Sequence, residues 1–180
     1  MYPGRPETSL RRFFSGLTEY AFETRLGMAD PGLVDYIAEL LDRFMRSDSI
    51  YGVRNPAGKR LDEVAAMVVE AEARVGDARR QVHRHIGDFT LFWTGVYPEA
   101  LPHLQRPDRR DFFLDYSELG KRAYLIASRI PVEENPQENE ILERLSHDFD
   151  VCRQGLRELR REWERRDGDS EDTPPLFFSP

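Results

Sequence analysis

Apolar residues recur along this chain at spacings of three and four, and few stretches show the two-residue alternation of strands. Leu10, Phe13, Phe14, Leu17, Tyr20 and Ala21 form one stripe and predict a first helix from about Ser9 to Leu26. Ser9 can cap its start, and Gly27 stands where a C-terminal glycine belongs. Asp30-Pro31 reads as an N-cap followed by proline at the first helical position. The second helix then runs to about Arg46, with Leu33, Ile37, Leu40, Leu41 and Phe44 inward. Gly52, Asn55-Pro56 and Gly58 make Ser47 to Arg60 a loop. Leu61, Val64, Ala65, Val68 and Val75 predict the buried face of a third helix, which Gly76 either ends or bends.

The fourth helix is expected from about Asp77 to Gly95. Val82, His85, Ile86, Phe89, Phe92, Trp93 and Val96 share one side, and Leu91 faces elsewhere. A helix apolar over most of its circumference is usually central. A proline-containing connection follows from Tyr97 to Pro107, and Asp108 is the expected cap of a helix from Arg109 to Ile130, closed by Pro131. In the last segment, Pro136 to Arg166, the residues Leu142, Leu145, Phe149, Cys152, Leu156, Leu159 and Trp163 stand 3, 4, 3, 4, 3 and 4 apart. That is a heptad seam, suited to bundle packing or a coiled coil. The prediction is an all-α, single-domain helical bundle of five or six helices with a long C-terminal heptad helix. Residues 1–8 are expected to be a flexible N-terminus, 9–166 the helical domain, and 167–180 a disordered acidic tail.

Composition narrows what such a bundle does. The 180 residues are 39% hydrophobic and 33% charged, with a net charge of -7. The acidic balance argues against non-specific nucleic-acid binding and against docking on anionic lipid. No apolar run approaches the length that spans a bilayer, and the start of the chain lacks the apolar core of a signal peptide. Cys152 is the single cysteine, which leaves no intrachain disulfide. The expected setting is cytoplasmic, with no cofactor and no metal. Glu143 and His147 stand four apart without the second matching pair a di-iron bundle needs. The arginines of the last helix alternate with Glu158, Glu162 and Glu164, as on a solvated helix. Cys152 lies on the seam and reads as a small apolar core residue.

The phosphate-loop, dinucleotide, nucleophile-elbow and zinc-protease signatures are absent. The densest unusual segment is His83-Arg84-His85-Ile86-Gly87-Asp88-Phe89-Thr90-Leu91-Phe92-Trp93-Thr94-Gly95-Val96-Tyr97-Pro98-Glu99, and a second is Asp115-Tyr116-Ser117-Glu118-Leu119-Gly120-Lys121-Arg122-Ala123-Tyr124. Together they resemble an uncharacterised bacterial all-helical family with a G-D-[FT]-x-L-F-x-x-G-x-[YF]-P-E segment followed by Y-x-x-x-G-[KR]-x-[AS]-Y. The resemblance covers most of the chain from Leu10 to Trp163, implies a helical fold and supplies no chemistry.

His85, Asp88, Glu99, Tyr116 and Tyr124 are the candidate polar cluster. It forms either a network that fixes helix packing or the lining of a ligand pocket. Asp88 lies at the edge of the apolar arc three residues from His85, so it is expected to be buried and tied to tyrosine hydroxyls or to His85. Gly95 and Gly120 are candidates for close helix packing, although Gly95 can also simply end its helix before Pro98. Leu176, Phe177 and Phe178 are candidate partner-binding residues in the tail. The leading expectation is a non-catalytic protein–protein interaction or assembly module with an unidentified protein partner, as monomer or homodimer. The alternative is a small-molecule-binding helical protein or enzyme with a pocket near Asp88.

Overall fold

A computed structural model of the chain describes residues 9–46 and 50–167. The fold is all-α, with eight helices and no strand among the described residues; an isolated bridge between Arg54 and Arg60 pinches one loop. Helix α1 spans Ser9–Glu19 and relaxes into a π turn over Tyr20–Arg25. Gly27 follows at φ 66°, a left-handed conformation that a side chain would strain. Helix α2 spans Pro31–Met45; the Asp30 carboxylate accepts from the Leu33 amide at 3.2 Å and Pro31 takes the first turn. Helix α3 spans Val64–Glu72 and α4 spans Gly76–Gly95. The short α5 is Leu101–Leu104, α6 is Tyr116–Arg129, α7 is Pro136–His147 and α8 is Phe149–Asp167.

Helix α4 is central, as its pattern requires. Every residue from Ile86 to Tyr97 is buried, and α3, α6 and α8 all pack against it. The third helix ends at Glu72 with Ala73 as its C-cap, and Gly76, at φ 59°, neither ends nor bends it but opens α4. Val75, expected on the buried face of α3, is instead 84% exposed at this junction.

The count of eight corrects the expected five or six, and two places account for it. The stretch before α6 is not helical from Arg109. Asp115, not Asp108, caps α6 by accepting from the Glu118 amide at 3.1 Å, and Asp108 pairs with Arg106 at 2.9 Å. Residues 98–115 hold a 3-10 turn, the short α5 and a run of turns. Those turns carry Asp111 to the start of α3, whose own N-cap, Glu63, makes no side-chain cap. Asp111 accepts from the Val64 amide at 2.8 Å and the Ala65 amide at 2.9 Å instead.

The second place is the expected long C-terminal helix, which breaks at Asp148 (φ -100°, ψ 19°) into α7 and α8. Aspartate competes for backbone amides and is a poor helix interior residue. The break lets α7 follow α6 while α8 follows α4 and the π turn. All seven seam residues nonetheless have no exposed surface, so the seam is filled within one chain. Trp163 closes its far end edge-on to Phe14, with ring centroids 5.3 Å apart.

Candidate functional site

Helices α2, α4 and α6 meet around one buried carboxylate. Tyr36 and Arg43 stand two turns apart on α2 and therefore share a face. Arg80, Arg84 and Asp88 stand on successive turns of α4. Tyr124 arrives from α6 because Gly87 leaves room: a Cβ there would lie 2.5 Å from the Tyr124 ring. Asp88 has no exposed surface. Its Oδ1 accepts from the Tyr36 and Tyr124 hydroxyls, both at 2.7 Å, and its Oδ2 accepts from Arg43 at 3.0 Å.

The shell behind these contacts is also charged. The Tyr36 hydroxyl accepts from Arg84 Nε at 3.1 Å, and the Arg84 guanidinium lies over the Tyr36 ring, 5.4 Å from its centroid. Arg84 reaches Glu138 of α7 at 3.1 Å, and the buried Arg80 reaches the same carboxylate at 2.5 Å. Burial and then the Asp88 charge hold the Tyr36 and Tyr124 hydroxyls well above the usual phenol range. These tyrosines stay protonated and serve Asp88 as donors.

Over this network lies a cleft of about 300 Å³, lined in part by Arg43, Val53, Arg74, Arg84, His85 and Asp88. The His85 ring sits between Phe44 and Phe89, with centroids 5.8 and 6.2 Å away. One ring N–H donates to the Ile50 carbonyl, while Nε2 is shielded from solvent and has no partner. The donor is therefore Nδ1. Burial pushes the His85 pKa down. Asp88 and the Ile50 bond oppose this, the Arg43 and Arg84 charges add to it, and the net shift is downward. The ring is neutral at pH 7, with its Nε2 lone pair uncommitted. Arg43 Nε is likewise buried and unpartnered.

The structure sorts the candidate cluster into separate places. Asp88 and Tyr124 are partners, as expected. Tyr116 is not in the network: its hydroxyl donates to Asp111 at 2.6 Å, helping to hold the carboxylate that caps α3. Glu99 is also elsewhere, on the surface, where it accepts from Arg160 of α8. His85 is beside Asp88 on α4 but donates to neither Asp88 oxygen, because the Ile50 carbonyl accepts its N–H. Gly95 is the last residue of α4 and also a close-packing glycine, since a Cβ there would lie 2.8 Å from Leu156. At Gly120 a Cβ would meet the Phe149 ring at 2.6 Å. Leu176, Phe177 and Phe178 lie outside the described residues.

Tyr36, Arg43 and Gly87 escaped the sequence reading. A tyrosine and an arginine seven apart within the apolar face of α2 are the only trace the sequence carries of the first two. Cys152 is buried, and burial pushes its thiol up to about 12, so it is no nucleophile at neutral pH. Among the described residues no three His, Cys, Asp or Glu side chains gather to hold a metal ion, and no helix is long and apolar enough to cross a membrane. Compared with known protein families, with characterised proteins and with solved structures, the chain matches none.

Proposed function

We propose that this chain is a small-molecule-binding helical protein whose site is the cleft over Asp88. One observation carries the reading: a concavity large enough for a small organic molecule is lined by His85 and Arg43, and each of these side chains holds a buried nitrogen without a partner. A buried polar atom left unsatisfied costs stability, and a ligand that completes its bonding recovers it. Asp88, by contrast, has its hydrogen bonds filled by the protein, so it organises the floor and is not a catalytic acid or base. Gln81, exposed on the cleft rim, offers a direct test. In a ligand-observed NMR screen of metabolite-like fragments, binders of the parent should lose their signal change with Gln81→Trp, which fills the cleft from outside. Fragments bound equally by both chains, or none bound by the parent, would overturn the reading.

A second observation favours the interaction-module reading. Phe113 is 90% exposed and Phe112 39%, with their rings 4.4 Å apart, in the loop before α6. An aromatic pair displayed in this way is a contact point for a partner, including a second copy. Sedimentation of the parent and of Phe113→Ser over a range of concentrations tests the homodimer: only the parent should self-associate. The cytoplasmic setting and the tie to the bacterial family belong to the same proposal; the filled thiol-bearing core and the helical fold are what support them.

A further inference from the structure

We infer, building on the reading of the cleft as a ligand site, that its ligand presents an oxyanion, of the carboxylate or phosphate kind, to Arg43 and His85. The buried network carries more positive than negative charge. Arg43, Arg80 and Arg84 share two carboxylates, Asp88 and Glu138; Asp77 comes within 4.0 Å of Arg80 but is solvated. Guanidinium stays charged at any physiological pH, and it has donors only. Arg43, which lines the cleft, commits one terminal nitrogen to Asp88 and leaves its buried Nε unpartnered, so what is missing there is an acceptor. Across the opening Arg74 adds a further cation, tied to Glu70 at 2.8 Å and to the Arg54 carbonyl at 2.7 Å.

His85 gives the site a second property. Its Nδ1–H is held by Ile50, so the neutral ring has nothing to donate, and its Nε2 lone pair is buried and uncommitted beside the cleft. The charges around it come from every wall. Arg43 faces it from α2, Arg84 and Asp88 from α4, and Arg74 from beyond α3, with Tyr36 and Glu138 behind Arg84 and Glu70 behind Arg74. Burial keeps the ring neutral, and the Arg43 and Arg84 charges add to it. An anionic oxygen beside Arg43 offsets them, and Nε2 then takes a proton from solvent and donates it to that oxygen as a hydrogen bond. Binding of the anion and uptake of one proton are therefore linked, and affinity rises as pH falls.

Sulfate tests this cleanly, because its charge is fixed through the neutral range while the imidazole titrates. The full chain is titrated with sodium sulfate, and separately with sodium acetate, at constant ionic strength, and the histidine ring ¹⁵N signals are followed. At least one anion should move the His85 Nε2 signal to its protonated position and bind about tenfold more tightly at about pH 6 than at about pH 8. His83, His103 and His147 should not follow. Preference for sulfate marks a phosphate-type ligand and preference for acetate a carboxylate. His85→Phe, which keeps a ring between Phe44 and Phe89, should abolish the pH dependence. Arg43→Lys, which keeps a cation at Asp88 without Nε, should weaken binding. An unmoved His85 signal with both anions, or equal affinity at the two pH values, overturns the inference. If neutral fragments then still bind in the cleft and are displaced by Gln81→Trp, the ligand-site reading stands without it; if nothing binds, both fall.

Discussion

Asp88 is a carboxylate with no exposed surface, held by three donors from two other helices. Removing it strands two buried hydroxyls and a guanidinium, so Asp88→Ala should destabilise by about 3 kcal/mol. Asp88→Asn should cost nearly as much, because its amide N–H₂ cannot accept from Arg43. Urea unfolding of both beside the parent measures this, and an unchanged or higher midpoint for both would overturn the structural role of Asp88 and make it a catalytic candidate. The tyrosines give the network a pH signature. Tyr36 and Tyr124 have pKa values raised by burial and by Asp88, and Tyr116 by burial and its bond to Asp111. The folded chain thus keeps phenol protons that the unfolded chain gives up near pH ~10. Their contribution is complete below that pH and lost as pH rises above it. Urea midpoints should be level through pH ~9 and fall beyond pH ~10, less steeply in Tyr124→Phe. Asp88 was legible in the sequence because a carboxylate at the edge of an apolar arc must find partners. Tyr36 and Arg43 were not, since they lie 52 and 45 residues away along the chain and only the α2–α4 crossing brings them in.

At the scale of elements, four glycines set how near the helices come. Cβ atoms at Gly87, Gly95, Gly120 and Gly155 would strike Tyr124, Leu156, Phe149 and Phe22 in turn. Alanine gains about 1 kcal/mol of helix propensity over glycine, but overpacking a filled core costs about 1–3 kcal/mol. At Gly87 the second effect should win, because the ring in the way is also anchored to Asp88. Gly87→Ala is therefore expected to lower the melting temperature. Gly16→Ala, on α1 with nothing within 4 Å of the added carbon, should raise it by the propensity gain alone. A thermal melt of the pair decides this: a stabilised Gly87→Ala would mean the α4–α6 contact is looser than the geometry states. The helices and the seam were readable because burial of an apolar stripe leaves a period in the sequence. The break at Asp148 was not. It answers to the different neighbours of α7 and α8, and the heptad spacing runs through it unaltered.

For the molecule as a whole, the Asp111 cap ties distant segments together. Helix α3 has nine residues, fewer than the ~12–15 an isolated helix needs, and it owns no capping side chain. Its first two amides are completed by a residue 47 and 46 positions further on, which the Tyr116 hydroxyl steadies in turn. The first turn of the third helix is therefore completed only by residues that come round from beyond α4. In hydrogen exchange, Asp111→Ala should speed the amides of Val64 to Glu72 by about ten- to a hundredfold, with the α4 amides from Ile86 to Trp93 left near the global rate. Uniform acceleration across both helices would show that they open together. Arg74, just beyond α3, stands on the rim of the cleft and is bound to the Arg54 carbonyl. One opening event thus loosens the cap, the helix and that rim together, so a molecule held in the cleft would slow amide exchange at the far end of α3, where it touches nothing.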